Sequence, residues 1–145
     1  MEYRIARKED LQELLGLYKQ LNPEEEPIDV EKAYSIWDAT EKGGATRYFV
    51  AVDNTKIASA CNITLIPNLT RNGKSFAIIE NVITDNDYRR QGIGKKVIRN
   101  AVQYAKENNC YKVVLLSSAK RTESHRFYES IGFNGNSKKG FEIRF

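Results

Sequence analysis

The chain has 145 residues, and 23 Lys+Arg against 19 Asp+Glu leave a formal net charge of +4. Its length fits one domain, residues 1–145, large enough to bury a core without a disulfide or metal staple. No apolar run approaches the ~18 residues of a membrane helix. Met1-Glu2-Tyr3-Arg4 lacks the apolar segment of a secretory leader, and the only cysteines, Cys61 and Cys110, have neither disulfide-framework nor zinc spacing, so a reduced, cytoplasmic protein with no metal is expected.

Tyr3 and Ile5 alternate with polar neighbours and predict a short opening strand. After Asp10, the spacing of Leu11, Leu14, Leu15, Tyr18 and Leu21 predicts an amphipathic helix that Asn22-Pro23 stops. Val30, Ala33, Tyr34 and Trp37 predict a second helix, ended by Gly43-Gly44. Strands are expected at Tyr48–Val52 and Ile57–Leu65, and Asn72-Gly73 is a type I′ turn signal that pairs the latter with Phe76–Ile83. Ile93, Val97, Ile98, Ala101, Val102 and Ala105 line one face of a further helix closed by Asn108-Asn109. Tyr111–Leu116 reads as a buried strand, Thr122–Ile131 as a short helix ending at Gly132, and Phe141–Phe145 as a last strand. The order β-α-α-β-β-β-α-β-α-β implies an α/β (α+β) layer built on a mixed sheet.

Charge is segregated along the chain. Arg89, Arg90, Lys95, Lys96 and Arg99 form a basic run without an acid, and Glu24-Glu25-Glu26 with Asp29 and Glu31 form an acidic block. Taken alone, each is an ordinary solvated face. The basic run, however, surrounds Gly92 and Gly94 at the head of a predicted helix, where backbone N–H groups and the helix dipole favour an anion. A Walker loop is excluded, because Lys96 follows Lys95 and no glycine lies five residues before Gly94; the dinucleotide fingerprint fails at Val97. A plain helix start with packing glycines and an anion loop both remain open on these residues alone.

Arg89-x-x-Gly92-x-Gly94, preceded by Glu80-Asn81-Val82-Ile83 and followed by Phe127-Tyr128-Glu129-Ser130-Ile131-Gly132-Phe133, resembles the GNAT superfamily of N-acetyltransferases. The resemblance spans nearly the whole chain and departs from the common pattern only at Thr84-Asp85-Asn86-Asp87, where many members carry a proline. It implies a mixed, mostly antiparallel central sheet flanked by about four helices, with splayed strands that bind acetyl-CoA. Under that resemblance the pyrophosphate lies on the amides of Arg90, Gln91, Gly92, Ile93, Gly94 and Lys95, and the pantetheine arm lies along Val82, Ile83 and Thr84. Arg89 supports the loop or reaches a phosphate, and Lys96 or Arg99 meets the 3′-phosphate.

The same resemblance implies acetyl transfer by direct attack of a primary amine. A lysine-like amine of pKa about 10.4 must first lose a proton. Glu80 is the implied base, the Val82 N–H the implied oxyanion donor, and Tyr128 the implied acid that reprotonates the CoA thiolate. Rival readings stand beside each role: Tyr128 as a core tyrosine, Glu80 as half of an ion pair, and His125 as a packing or cofactor-contact residue. Lys120-Arg121 to Tyr128 also resembles aminoalkylphosphonate N-acetyltransferases. Glu24–Glu26 would attract a cationic small-molecule or peptide amine, and Tyr34, Trp37 and Phe76 are acceptor-pocket or core residues. A non-catalytic CoA-binding regulator is the alternative to an acyltransferase. A nucleic-acid binder lacks interleaved aromatics along the basic run, so no nucleic-acid or membrane partner is expected, and the last strand could pair two chains as a homodimer.

Overall fold

A computed structural model describes residues 1–145, which form two compact units, Met1–Val114 and Leu115–Phe145. The first holds β1 (Glu2–Ile5), α1 (Leu11–Leu21), α2 (Val30–Gly43), β2 (Thr46–Asp53), β3 (Lys56–Ile66), β4 (Phe76–Thr84), α3 (Ile93–Glu107) and β5 (Val113–Val114). The second holds α4 (Thr122–Glu129).

The five strands form one sheet in sequential order. β1 to β4 are antiparallel, and β5 joins β4 in parallel. Alternation sorts the side chains of β2: Val50 and Val52 join Leu11, Leu14, Leu17 and Trp37 on one face, whereas Phe49 meets Tyr104 of α3 on the other, ring centroids 5.6 Å apart. α1 and α2 therefore cover one face and α3 the opposite one. The buried stripe of α1 is Leu11, Leu14 and Leu17, so Leu17 takes a core place the sequence pattern assigned to Leu15, which is half-buried beside it. Each fully buried leucine contributes about 1.5–3 kcal/mol by leaving water. α2 starts on the Asp29 carboxylate, which accepts from the Lys32 N–H at 2.9 Å, and ends at Gly44 in the left-handed region, φ 71°.

Three expected elements differ. The hairpin signal at Asn72-Gly73 does form a left-handed turn (φ 57° and 73°), but the ladder stops at Ile66↔Phe76. Pro67, which has no N–H to donate, begins the longer loop that holds the turn. The strand expected over 111–116 pairs only at Val113–Val114 and is half-buried, because β5 leaves β4 after Ile78↔Val114. Residues 141–145 form no strand, and Phe141, Ile143 and Phe145 are exposed. An alternating apolar run becomes a strand only when another strand accepts its backbone hydrogen bonds, and the second unit contains none.

In that second unit α4 ends at Glu129, two residues earlier than expected, and Gly132 turns the chain at φ 114°. The Phe133 N–H closes back onto the Tyr128 carbonyl at 3.2 Å. No helix of the protein is long and apolar enough to cross a membrane.

Candidate functional site

β4 carries the first group of expected site residues, and a bulge shapes it. Register passes from Asn62↔Glu80 to Ala60↔Ile83, so Asn81 and Val82 together oppose the single residue Cys61. Asn81 adopts φ 53°, and its side-chain amide donates to Asn62 Oδ1 at 2.9 Å. Glu80 is exposed, Val82 half-buried and Ile83 buried. Beyond the bulge, Ser59 anchors the strand end, donating to the Ile83 carbonyl at 2.8 Å and lying 2.9 Å from the Thr84 hydroxyl. The opposite edge of β4 is paired with β5 only at Ala77 and Ile78. From Ile79 to Thr84 that edge is left without a β5 partner, and such an edge is a template for an extended ligand.

The strand runs directly into a rigid polar turn. The Asp85 side chain is buried yet charged: its Oδ1 accepts from the Asp87 N–H at 2.9 Å, and its Oδ2 from Gln20 Nε2 at 2.9 Å and Lys56 Nζ at 3.1 Å. Burial by itself would raise this carboxyl's pKa, but the hydrogen bonds from Asp87, Gln20 and Lys56 outweigh it and hold the pKa below the ordinary value. The Tyr88 hydroxyl donates to Asp53 Oδ2 at 2.9 Å, and Lys56 Nζ lies 5.2 Å from the Tyr88 ring centroid.

The glycine loop follows. Arg89 Nε donates back to the Thr84 carbonyl at 3.2 Å, and Gln91 Nε2 donates to the Asp87 carbonyl at 3.2 Å, so both side chains brace the loop. Arg90 and Gly92 are left-handed, φ 60° and 76°, and Gly92 is followed by the helical Ile93. A left-handed residue before a right-handed one points successive N–H groups into a shared concavity suited to an anion. Gly92 brings no side chain to cap the first turn of α3, and that turn has no acid. Lys96 Nζ lies 4.1 Å from the Tyr3 ring centroid, and Arg99 is exposed on α3.

Glu80, Val82–Thr84 and Arg89–Lys95 thus follow one another along β4, the turn and α3. Tyr128 belongs to the second unit, where it is half-buried between Phe127 and Phe133, at centroid distances of 5.2 and 6.1 Å. His125 Nε2 lies 2.8 Å from the Ser118 carbonyl oxygen, which orients the ring. Trp37 is buried and stacks on Tyr48 at 5.2 Å. Glu24–Glu26 are exposed in the connection between α1 and α2. No group of three or more His, Cys, Asp or Glu side chains gathers as metal ligands. Two depressions lie elsewhere. One, of about 190 Å³, is lined by Trp37, Thr40, Arg47 and Tyr48; the other, of about 280 Å³, by Tyr3, Phe49, Asn100 and Tyr104. The site on β4 is an open edge and an amide concavity, which is the shape a long, flexible, phosphate-bearing ligand requires.

Gln20, Lys56, Asp53 and Tyr88 were not legible as site-supporting residues. The Asp85-x-Asp87 turn was the one local signal, because a short carboxylate readily caps the second N–H after it.

The chain belongs to the acetyltransferase (GNAT) family, whose model matches residues 9–133, and its enzyme class is that of the N-acetyltransferases. It is 31% identical to a glucosamine 6-phosphate N-acetyltransferase of Trypanosoma brucei brucei over 96% of this chain and 92% of that one. A putative acetyltransferase from Agrobacterium tumefaciens superposes with a TM-score of 0.95 at 39% identity, covering 100% of both chains. A Bacillus halodurans protein described as a transcriptional regulator superposes with a TM-score of 0.87 at 28% identity, covering 99% of each.

Proposed function

We propose that the protein transfers the acetyl group of acetyl-CoA to the primary amine of a small acceptor, with glucosamine 6-phosphate the acceptor to test first. One observation carries the reading: the β4 edge left free after Ile78 leads without a break into the amide concavity at Gly92. The residues present fit the donor. The free edge takes an extended amide-containing arm along Val82, Ile83 and Thr84, and the N–H groups from Arg90 to Lys95 receive its phosphates.

Acetyl-CoA, when bound, supplies an activated acyl carbon and a thiolate leaving group. Glu80, exposed on the strand beside that position, removes a proton from the acceptor ammonium, directly or through one water. The Val82 N–H, within the bulge, stabilises the negative charge that develops on the carbonyl oxygen; one preorganised donor of this kind contributes roughly 2.7–4 kcal/mol. The new C–N bond forms as the C–S bond breaks; the nitrogen releases its second proton to solvent, and the Tyr128 hydroxyl gives a proton to the departing thiolate and is reprotonated from solvent.

Calorimetric titration with acetyl-CoA, followed by free-thiol release across an amine panel that includes glucosamine 6-phosphate, tests the reading. Saturable binding with amine-dependent thiol release is expected. Binding without release from any amine would replace it with a CoA-binding regulator, and absence of binding would overturn both.

A further inference from the structure

The far end of β4 carries a feature that acetyl-CoA does not explain. Between Asp53 and Glu80, and again between Glu107 and Glu123, the sequence contains no Asp or Glu. The fold brings these two acid-free segments together. The Tyr111 N–H donates to the Ser75 carbonyl at 2.9 Å, and the Ala77 N–H to the Lys112 carbonyl at 3.0 Å. Arg71 and Lys112 thereby converge on shared rings. The Arg71 guanidinium lies 5.4 Å from the Tyr111 centroid, and Lys112 Nζ lies 5.3 Å from Tyr111 and 5.4 Å from Phe76. Lys74 is a third exposed cation in the loop that carries Arg71. All three cations are exposed, and none belongs to an ion pair. Stacking on aromatic faces orders a cation without neutralising it, so this end of the sheet keeps a positive field.

Its place relative to Glu80 follows from the strand. Phe76, Ile78 and Glu80 point to one face of β4 by alternation, and Lys112 lies over Phe76 on that face. At about 3.3 Å per residue, Phe76 stands about 13 Å along the strand from Glu80. At the other end of β4, Gln20 holds the last turn of α1 on Asp85, and the exposed acidic stretch Glu24–Glu26 follows shortly after that helix. The basic group thus stands at the end of β4 opposite the one to which α1 is tied.

We infer that Arg71 and Lys112, with Lys74, form the subsite for an anionic group, a phosphate or carboxylate, carried by the acceptor about one monosaccharide away from its reactive amine. This rests on the acyl-transfer reading above. The acceptor class is then a zwitterionic amine, with its ammonium at Glu80 and its anion at Lys112.

Steady-state kinetics with glucosamine and glucosamine 6-phosphate test the assignment, using wild type, Lys112→Gln and Arg71→Gln. Wild type is expected to show a KM at least tenfold lower for the phosphorylated amine. Each variant should erase most of that difference while leaving the KM values for glucosamine and acetyl-CoA unchanged. Equal KM values for the two amines in wild type, or variants that weaken both amines alike, would overturn the subsite and leave acetyl transfer intact. A second measurement does not depend on turnover: inorganic phosphate titrated into the 15N-labelled protein should shift the backbone amides of Arg71–Lys74 and Tyr111–Val113, and Lys112→Gln should weaken those shifts. If wild type acetylates no amine while phosphate still moves these amides, the acyl-transfer reading falls and the anion site stands. Absence of such shifts would overturn the site, as would tighter binding there of single-stranded DNA than of the sugar phosphate.

Discussion

Gln20 grips the turn before the glycine loop with both ends of its side-chain amide: Nε2 donates to Asp85 Oδ2 at 2.9 Å, and Oε1 accepts from the Asn86 N–H at 3.2 Å. These residues lie far apart in sequence, and the contact ties the last turn of α1 to the base of the candidate pyrophosphate loop. Replacing Gln20 with Ala leaves the Asn86 N–H without this acceptor and the Asp85 carboxylate with one donor fewer. Asn86 is exposed and Asp85 keeps its Asp87 and Lys56 donors, so the cost is that of ordinary hydrogen bonds, about 0.5–1.5 kcal/mol each. Gln20→Ala is expected to lower Tm and to weaken CoA binding several-fold by calorimetry, whereas Gln20→Glu, which keeps only the acceptor, should restore little. Undiminished CoA affinity in Gln20→Ala would show that the grip does not support the loop.

Gly92 tests the loop itself. At φ 76° a side chain is strained, although a Cβ there would meet nothing within 4 Å, so the penalty is one of backbone conformation. Gly92→Ala should cost about 1–2 kcal/mol of stability. It should reduce CoA affinity by more than that factor, because the methyl group also crowds the amide concavity. Parallel losses in melting temperature and CoA affinity would argue that Gly92 serves the fold alone.

Removal of the proposed base and acid should separate chemistry from binding. Glu80→Gln keeps the size of a side chain that is exposed and unneeded for the core, and kcat should fall about 10²–10⁴-fold with CoA affinity intact. Tyr128→Phe preserves the ring contacts with Phe127 and Phe133, so turnover should fall while Tm and CoA affinity hold. Full activity in either variant removes that residue from the mechanism.

Acid stability should depend on Asp10. The Arg4 guanidinium binds both carboxylate oxygens, at 2.6 and 2.9 Å, and these hydrogen bonds outweigh burial and hold the Asp10 pKa below its ordinary value. A carboxyl depressed in the folded state contributes stability that is complete above the unfolded pKa of about 3.9 and is lost as pH falls through the folded pKa. The melting temperature of wild type should therefore drop below about pH 4. Asp10→Asn should be less stable at pH 7 and show a shallower acid limb. An unchanged limb would assign the acid sensitivity elsewhere.

The two thiols should react differently. Burial pushes the Cys61 pKa up to about 12, and the side chain has no exposed surface. Cys110 is half-buried. A thiol reagent at pH 8 should label Cys110 in the native protein and reach Cys61 only in denaturant. Rapid native labelling of Cys61 would mean that the bulge opposite it opens readily.

Short-range chemistry explains what was legible beforehand. Helices α1, α2 and α3 follow from apolar spacing and from stop residues such as Asn22-Pro23 and Gly43-Gly44, which act within a single turn. The glycine loop was recognisable for the same reason: the left-handed conformation at Gly92 and the first amides of α3 are local properties. The β4 bulge was not, because the positive φ of Asn81 gains meaning only when Cys61 stands opposite two residues. Residues 141–145 alternate as a strand should, yet form none, since alternation supplies no hydrogen-bonding partner.

The sequence by itself therefore determined the family, the α+β element order through α4, and the glycine loop at the head of α3, all from neighbours along the chain. Tertiary structure alone decided where β5 leaves β4, which side chains brace Asp85, and that Arg71 and Lys112 meet across two acid-free segments. Those features depend on register and on contacts between residues distant in sequence. The net charge of +4 shows the difference: the basic run at Arg89–Arg99 was visible in the linear chain, but the second basic group exists only because the sheet closes it.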